Sequence, residues 1–88
     1  MALLKIFQQD NVAVAIDGIK KGENLNLGDL CFTAQEDVGK GHKIAIEDIK
    51  QNQDVIKYGF PIGHATSDIK IGERVHSHNT KTNLGEII

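Results

Sequence analysis

One pattern occurs three times in this chain and restricts its fold more than any other feature. Ala15-Ile16-Asp17-Gly18-Ile19-Lys20-Lys21-Gly22-Glu23-Asn24-Leu25 aligns with Ala45-Ile46-Glu47-Asp48-Ile49-Lys50-Gln51-Asn52-Gln53-Asp54-Val55. Both align with Ala65-Thr66-Ser67-Asp68-Ile69-Lys70-Ile71-Gly72-Glu73-Arg74-Val75. Each copy offers one apolar residue (Ile19, Ile49, Ile69) to a core. Each then reaches a residue that tolerates the left-handed conformation (Gly22, Asn52, Gly72), where a turn ends. The chain leaves extended at Leu25, Val55 or Val75. Asp48 and Asp68 sit where a carboxylate would cap a single helical turn. The copies begin 30 and then 20 residues apart, which excludes a solenoid of fixed period.

The intervening segments read as strands. Asn11 to Ile16 is a buried strand with Val12, Val14 and Ile16 on one face and Ala13 and Ala15 on the other. Gly28-Asp29 marks a turn. After it, Leu30, Phe32 and Ala34 alternate with Cys31, Thr33 and Gln35. Asp37 to Gly41 reads as a loop, His42 to Ile46 as a strand with Ile44 and Ile46 inward, and Asp54 to Tyr58 as a further strand. Gly59-Phe60-Pro61-Ile62-Gly63 reads as a rigid connection, because proline fixes its own backbone and holds Phe60 extended. No window longer than one turn has helical periodicity. The expectation is a mainly β chain with short single-turn helices, folded as one domain over residues 1–88 into a compact barrel-like or sandwich-like form. A chain of this size buries only about 60 to 65% of the surface it exposes when unfolded.

Net charge is −2 with both signs interspersed, which gives no basic footprint for nucleic acid and no polybasic membrane patch. The apolar start, Met1 to Phe7, is broken by Lys5. It is too short for a signal-peptide core or a spanning helix. With one cysteine, Cys31, no internal disulfide can form, which fits a reducing cytoplasm. Nothing around Cys31 suggests an activated thiolate.

Chemistry concentrates late in the chain, in Val75-His76-Ser77-His78-Asn79-Thr80-Lys81-Thr82-Asn83-Leu84. If this run is extended, Arg74, His76 and His78 share a face and Val75 turns to the core. Two imidazoles beside a guanidinium and a row of amides and hydroxyls suit an anionic polyol, or a divalent metal that holds one. Two solvated histidines on an edge strand fit the same spacing. Two imidazoles alone do not complete a metal site. His42 and Lys43, after the Gly39-Lys40-Gly41 turn, and Lys57, before a glycine, are further candidates for an anion. Solvated lysines would look the same. His64 reads as a surface residue.

Several of these segments together resemble a known family. They are Asp10-Asn11-Val12-Ala13-Val14-Ala15, Gly41-His42-Lys43-Ile44-Ala45-Ile46 with Asp48-Ile49, Val55-Ile56-Lys57-Tyr58-Gly59, Pro61-Ile62-Gly63, and the run from His76 to Leu84. They are similar to the N-terminal domain of the sugar-acid dehydratases that act on altronate and galactarate, a domain of the SAF type with a β-clip fold. The likeness runs from about Lys5 to Leu84. The same domain resembles the small subunit of sulfolactate sulfo-lyase.

The resemblance implies a part in hexuronate catabolism in the cytoplasm: elimination of water from altronate to give 2-keto-3-deoxygluconate, assisted by a divalent metal, Fe2+ or Mn2+. For that chemistry the candidates among this chain's residues are His76 and His78 as metal ligands, and Asn79, Lys43, His42, Lys57 and Arg74 as contacts to the sugar acid. The family's catalytic body is several times longer than this chain. The implied partner is therefore a large dehydratase subunit or a C-terminal catalytic domain, and a homo-oligomer is compatible with the sequence. A non-catalytic module that binds carbohydrate acids is the alternative, since SAF-type domains also occur in sialic-acid synthases and in pilus and flagellar assembly proteins.

Overall fold

The computed structural model describes residues 3–4 and 9–82. The described chain is built from nine short strands: β1 (Leu3–Leu4), β2 (Val12–Ala15), β3 (Asn24–Leu27), β4 (Leu30–Thr33), β5 (Lys43–Ala45), β6 (Asp54–Lys57), β7 (Phe60–Ala65), β8 (Arg74–Val75) and β9 (Thr80–Lys81). All pairings are antiparallel. A central sheet has the order β1-β2-β5-β8. β3 and β4 form one hairpin, and β6, β7 and β9 form a second sheet. The mainly β expectation holds.

Side-chain alternation in the central sheet creates two cores. Ala13 and Ala15 of β2 and Ile44 of β5 turn to one side and pack with Ile19, Leu25, Ala34, Val38 and Ile46. Val12, Ala45 and Val75 turn to the other and pack with Ile49, Val55, Ala65 and Ile69. Successive residues of a strand point to opposite faces, so one thin sheet serves both clusters. The alanines let each hairpin approach that sheet closely. Ile16 does not share the inward face of Val12: the strand ends at Ala15, and Ile16 is 44% exposed.

The repeat is confirmed in its main features and corrected in three. Ile19, Ile49 and Ile69 are buried, as are Leu25, Val55 and Val75. The first correction is that each turn is a β-turn, not a turn of helix; the described residues contain no helix. The amides of Glu23, Gln53 and Glu73 donate to the carbonyls of Lys20, Lys50 and Lys70 at 2.9–3.0 Å. The third residue of each turn has positive φ (Gly22 +89°, Asn52 +71°, Gly72 +90°), the requirement of a type II turn.

The second correction is that a fourth copy exists where a loop was expected. It runs from Ala34 to Ile44, with Val38 buried, His42 N donating to Gly39 O at 3.0 Å, and Gly41 at φ +81°. The third concerns Asp48 and Asp68, which cap a neighbour's turn instead of their own. Asp48 Oδ1 accepts from Ile71 N and Asp68 Oδ1 from Gln51 N, both at 2.9 Å. Asp37 accepts from Lys21 N at 2.8 Å. The second amide of a type II turn points outward, within reach of the adjacent copy. The copies are held together by paired backbone bonds between Ile19 and Val38 and between Ile49 and Ile69, 2.7–2.9 Å long.

The result is two similar halves that share β2 and β5. Each has a hairpin flanked by two turns, with tips at Gly28-Asp29 and Tyr58-Gly59. The expected rigid connection at 59–63 is instead the start of β7. Tyr58 (φ +55°) and Gly59 (φ +78°) make a two-residue turn with both residues left-handed, the geometry that suits a twisted hairpin. Pro61 fits inside the strand because the register shifts between Val55 and Ile56, and proline is tolerated at such irregularities.

Candidate functional site

Strand β8 stops at Val75, so the late histidines do not lie on one extended face. His76 to Asn79 is a turn closed by Asn79 N donating to His76 O at 3.1 Å. The buried Asn79 amide holds it. Its Oδ1 accepts from His76 N at 3.0 Å and its Nδ2 donates to Arg74 O at 2.8 Å. Thr80 Oγ1 also donates to His76 O. An asparagine folded onto its own backbone competes with continuation of a strand, which explains the departure from the extended reading. His78 is thereby exposed and His76 half-buried. Asn83 and Leu84 lie outside the described residues.

The turn sets His76 against His42, with ring centroids 5.3 Å apart and planes tilted by 48°. His42 precedes β5 and Lys43 begins it. Lys43 pairs with Val14 on one side and Val75 on the other, so its side chain leaves the face that carries the second core. Lys57 approaches from the end of β6, its ammonium 4.8 Å from the centre of the Tyr58 ring. Arg74 comes from β8. Its Nε is buried and makes no hydrogen bond among the described residues. His42, Lys43, Lys57, Arg74, His76 and His78, the first and last of them 36 positions apart in sequence, thus form one basic patch on four segments.

Electrostatics bear the crowding out. Burial, and then the charge of Lys57, lower the pKa of Lys43. Burial, and then Arg74, His42, Lys43 and His78 in that order, lower that of His76. A histidine depressed below its unfolded value of about 6.5 binds protons less readily in the fold than in the unfolded chain. Stability therefore falls as pH drops through that value and returns above it. An anion seated among these groups opposes the depression. In an NMR titration the His76 ring is expected to titrate below about 6.5 in the free chain, and to move upward when a hydroxy acid is added. A free-chain midpoint at or above that value would mean the positive crowding is absent.

Two residues important to the patch were not recognised as such from sequence. Asp10, 2% exposed, accepts from Tyr58 N (3.0 Å) and Gly59 N (2.7 Å). Asn11, also buried, accepts from Ile56 N at 2.8 Å and donates to Asp54 O at 2.9 Å. Together they fasten the hairpin that carries Lys57. The only signal was a polar pair directly before a buried strand.

Among the described residues no group of three or more histidine, cysteine or carboxylate side chains could hold a metal ion. No helix of the described chain is long and apolar enough to cross a membrane.

Comparison with known proteins follows the same residues. Residues 1–83 match the altronate/galactarate dehydratase SAF domain. The chain is 51% identical to altronate dehydratase of Bacillus subtilis over 86 residues, which is 98% of this chain and 17% of that enzyme. With altronate dehydratase of Escherichia coli the identity is 45% over 87 residues, 99% of this chain and 18% of that enzyme. It is 37% identical over 75 residues to the alpha subunit of (2R)-sulfolactate sulfo-lyase from Chromohalobacter salexigens, covering 78% of this chain and 80% of that subunit. The chain therefore spans less than a fifth of the altronate dehydratases it matches. With near-complete coverage by the domain family and a strand arrangement that carries the matching segments, the chain belongs to the SAF domains of the altronate/galactarate dehydratases.

Proposed function

We propose that this chain is the substrate-facing small domain of a cytoplasmic sugar-acid hydro-lyase, working with a larger polypeptide to dehydrate altronate to 2-keto-3-deoxygluconate. The observation that carries this reading is the convergence of Lys43, Lys57, Arg74, His42 and His76 from separate strands and turns onto one patch. A carboxylate is recognised by such groups through charge-assisted hydrogen bonds. Arg74 brings a planar guanidinium, whose forked donors match the geometry of a carboxylate. Holding the carboxylate in a cationic setting also favours loss of the proton at C2, because negative charge then spreads onto the carboxylate oxygens. The C2 base and the acid that assists departure of the C3 hydroxyl belong to the larger polypeptide. A divalent metal, Fe2+ or Mn2+, would polarise the carboxylate and hydroxyl there, with His76 and His78 offering supplementary imidazoles. Depression of the His76 pKa favours the neutral ring that ligation needs. Asn79 acts by fixing the turn that presents these rings.

The test is a chimera in which this chain replaces the matching segment of Bacillus subtilis altronate dehydratase. Removing one charge-assisted contact to a carboxylate is worth about 1.5–3 kcal/mol. Lys43→Met is therefore expected to raise KM for altronate by roughly 10- to 100-fold while the Tm holds. Unchanged kinetics would remove Lys43 from the site, and the same result with Arg74→Met as well would sink the reading. A second reading rests on the match to the sulfo-lyase subunit: the same cations would suit a sulfonate beside a carboxylate. Activity of the chimera's patch variants against altronate, compared with binding of sulfolactate to the isolated chain, separates the two. Tight binding of either acid by the chain alone would favour a non-catalytic module.

A further inference from the structure

The two halves of the molecule act as controls for each other. Both hairpins end in a two-residue tip, but the tips differ. In the first, Leu27 and Leu30 pair across the turn and both fold onto the core beneath. In the second, the corresponding pair is Lys57 and Phe60, and Phe60 is 71% exposed, the most exposed large apolar side chain among the described residues. Tyr58 beside it is 41% exposed and Pro61 is exposed too. The first tip turns on Gly28 at φ +62°, where glycine carries no strain. The second places a bulky tyrosine at φ +55°, a conformation that disfavours side chains by about 1–2 kcal/mol. It is held by two bonds to the buried Asp10 carboxylate, an anchor contributed from 48 residues away in sequence.

A strained residue held by a dedicated clamp lies here directly under exposed aromatic surface. Backbone strain kept in place by surrounding structure concentrates at binding elements, and aromatic side chains in a rigid setting are the usual anchors of interfaces. The tip is continuous with the cationic patch, since Lys57 belongs to both.

We propose that the β6–β7 tip, with Phe60 and Tyr58 as its anchors, is the surface on which the larger catalytic polypeptide sits. The occupant is indicated by proportion: this domain is 17–18% of the altronate dehydratases it matches, and its match covers 80% of a sulfo-lyase subunit designated alpha. A site shared between the two polypeptides then closes over Lys57, Lys43 and Arg74. This inference rests on the reading of the chain as part of a composite enzyme, and it adds the face by which the parts join.

Hydroxyl-radical labelling of the isolated chain and of the chimera described above tests it. Phe60 and Tyr58 are expected to be labelled readily in the isolated chain and about tenfold more slowly in the chimera, as fits anchors buried at an interface. In trans, Phe60→Ser is expected to leave the Tm of the chain unchanged. It should weaken its association with a Bacillus subtilis enzyme lacking its matching segment by about 30-fold or more. Equal labelling of Phe60 in chain and chimera overturns the proposal. So does protection in the isolated chain at concentrations where it sediments as a dimer, which would assign the tip to a second copy. Protection of Phe60 with no effect of Lys43→Met or Arg74→Met on KM would leave the docking face standing and remove the sugar-acid reading. The reverse pattern would do the opposite.

Discussion

Gly72→Ala is expected to be among the most destabilising single substitutions in this chain, while the same change at Gly22 is expected to be mild. Both glycines occupy the third position of the same type II turn, at φ +90° and +89°. Both substitutions therefore meet the same backbone penalty, about 1–2 kcal/mol. Their surroundings differ. A Cβ on Gly22 has nothing within 4 Å, whereas one on Gly72 lies 2.3 Å from the Thr33 carbonyl oxygen and 3.3 Å from the Gln35 amide nitrogen. That backbone is not free to move, because Gln35 N donates to Gly72 O at 2.9 Å across the contact. Overpacking against a fixed main chain adds about 1–3 kcal/mol. The total, roughly 2–5 kcal/mol, is a large part of the stability of a domain this size. The contact also joins the halves near the patch: Glu36, the next residue, accepts from Arg74 N at 3.1 Å. Thermal unfolding of both variants checks the prediction. A Gly72→Ala protein that melts within a few degrees of Gly22→Ala would show that the strand after Thr33 yields easily.

This contact marks a boundary between what the amino-acid sequence discloses here and what it conceals. Ile19, Ile49 and Ile69, and the strand starts Leu25, Val55 and Val75, were legible because each performs a local task that permits few residue types. The fourth copy was hidden by substitutions at its own signal positions: Val38 for isoleucine, Gly39 for lysine, His42 for glutamate or glutamine. The first tip was legible from Gly28-Asp29. The second was not, because Tyr58 is an unexpected residue for a left-handed turn and the carboxylate that stabilises it is far away in sequence. The site divides in the same way. Lysine, arginine and histidine near glycine turns marked the candidates. Their arrangement depended on strand register and on Asn79 ending β8 early, so the partner of His76 is His42 and not His78 on a shared face. Local chemistry is written in neighbouring residues, whereas a site assembled from four segments is written in pairings that no window contains.

Asp10 connects the stability of the second hairpin to the patch, and its replacement supplies the second large effect. Asp10→Ala removes both acceptors for the amides of Tyr58 and Gly59. A hydrogen bond to a charged group contributes about 1.5–3 kcal/mol. Water at the partly open tip replaces some of that, so a net loss of about 2–4 kcal/mol is expected. Tyr58 would then relax from its strained conformation, and Lys57 would lose its fixed approach to Lys43. Asp10→Asn keeps one oxygen in place and is expected to lose about half as much. The functional consequence separates a positioning role from general damage. In the chimera, Asp10→Asn is expected to raise KM for altronate several-fold with kcat nearly retained, and the shift should largely disappear when Lys57 has already been changed to Met, since the carboxylate acts through that lysine. If Asp10→Asn and Lys57→Met instead multiply their effects on KM, the clamp and the lysine act independently. The tip would then serve docking alone, with the sugar acid held by Lys43, Arg74 and the paired histidines.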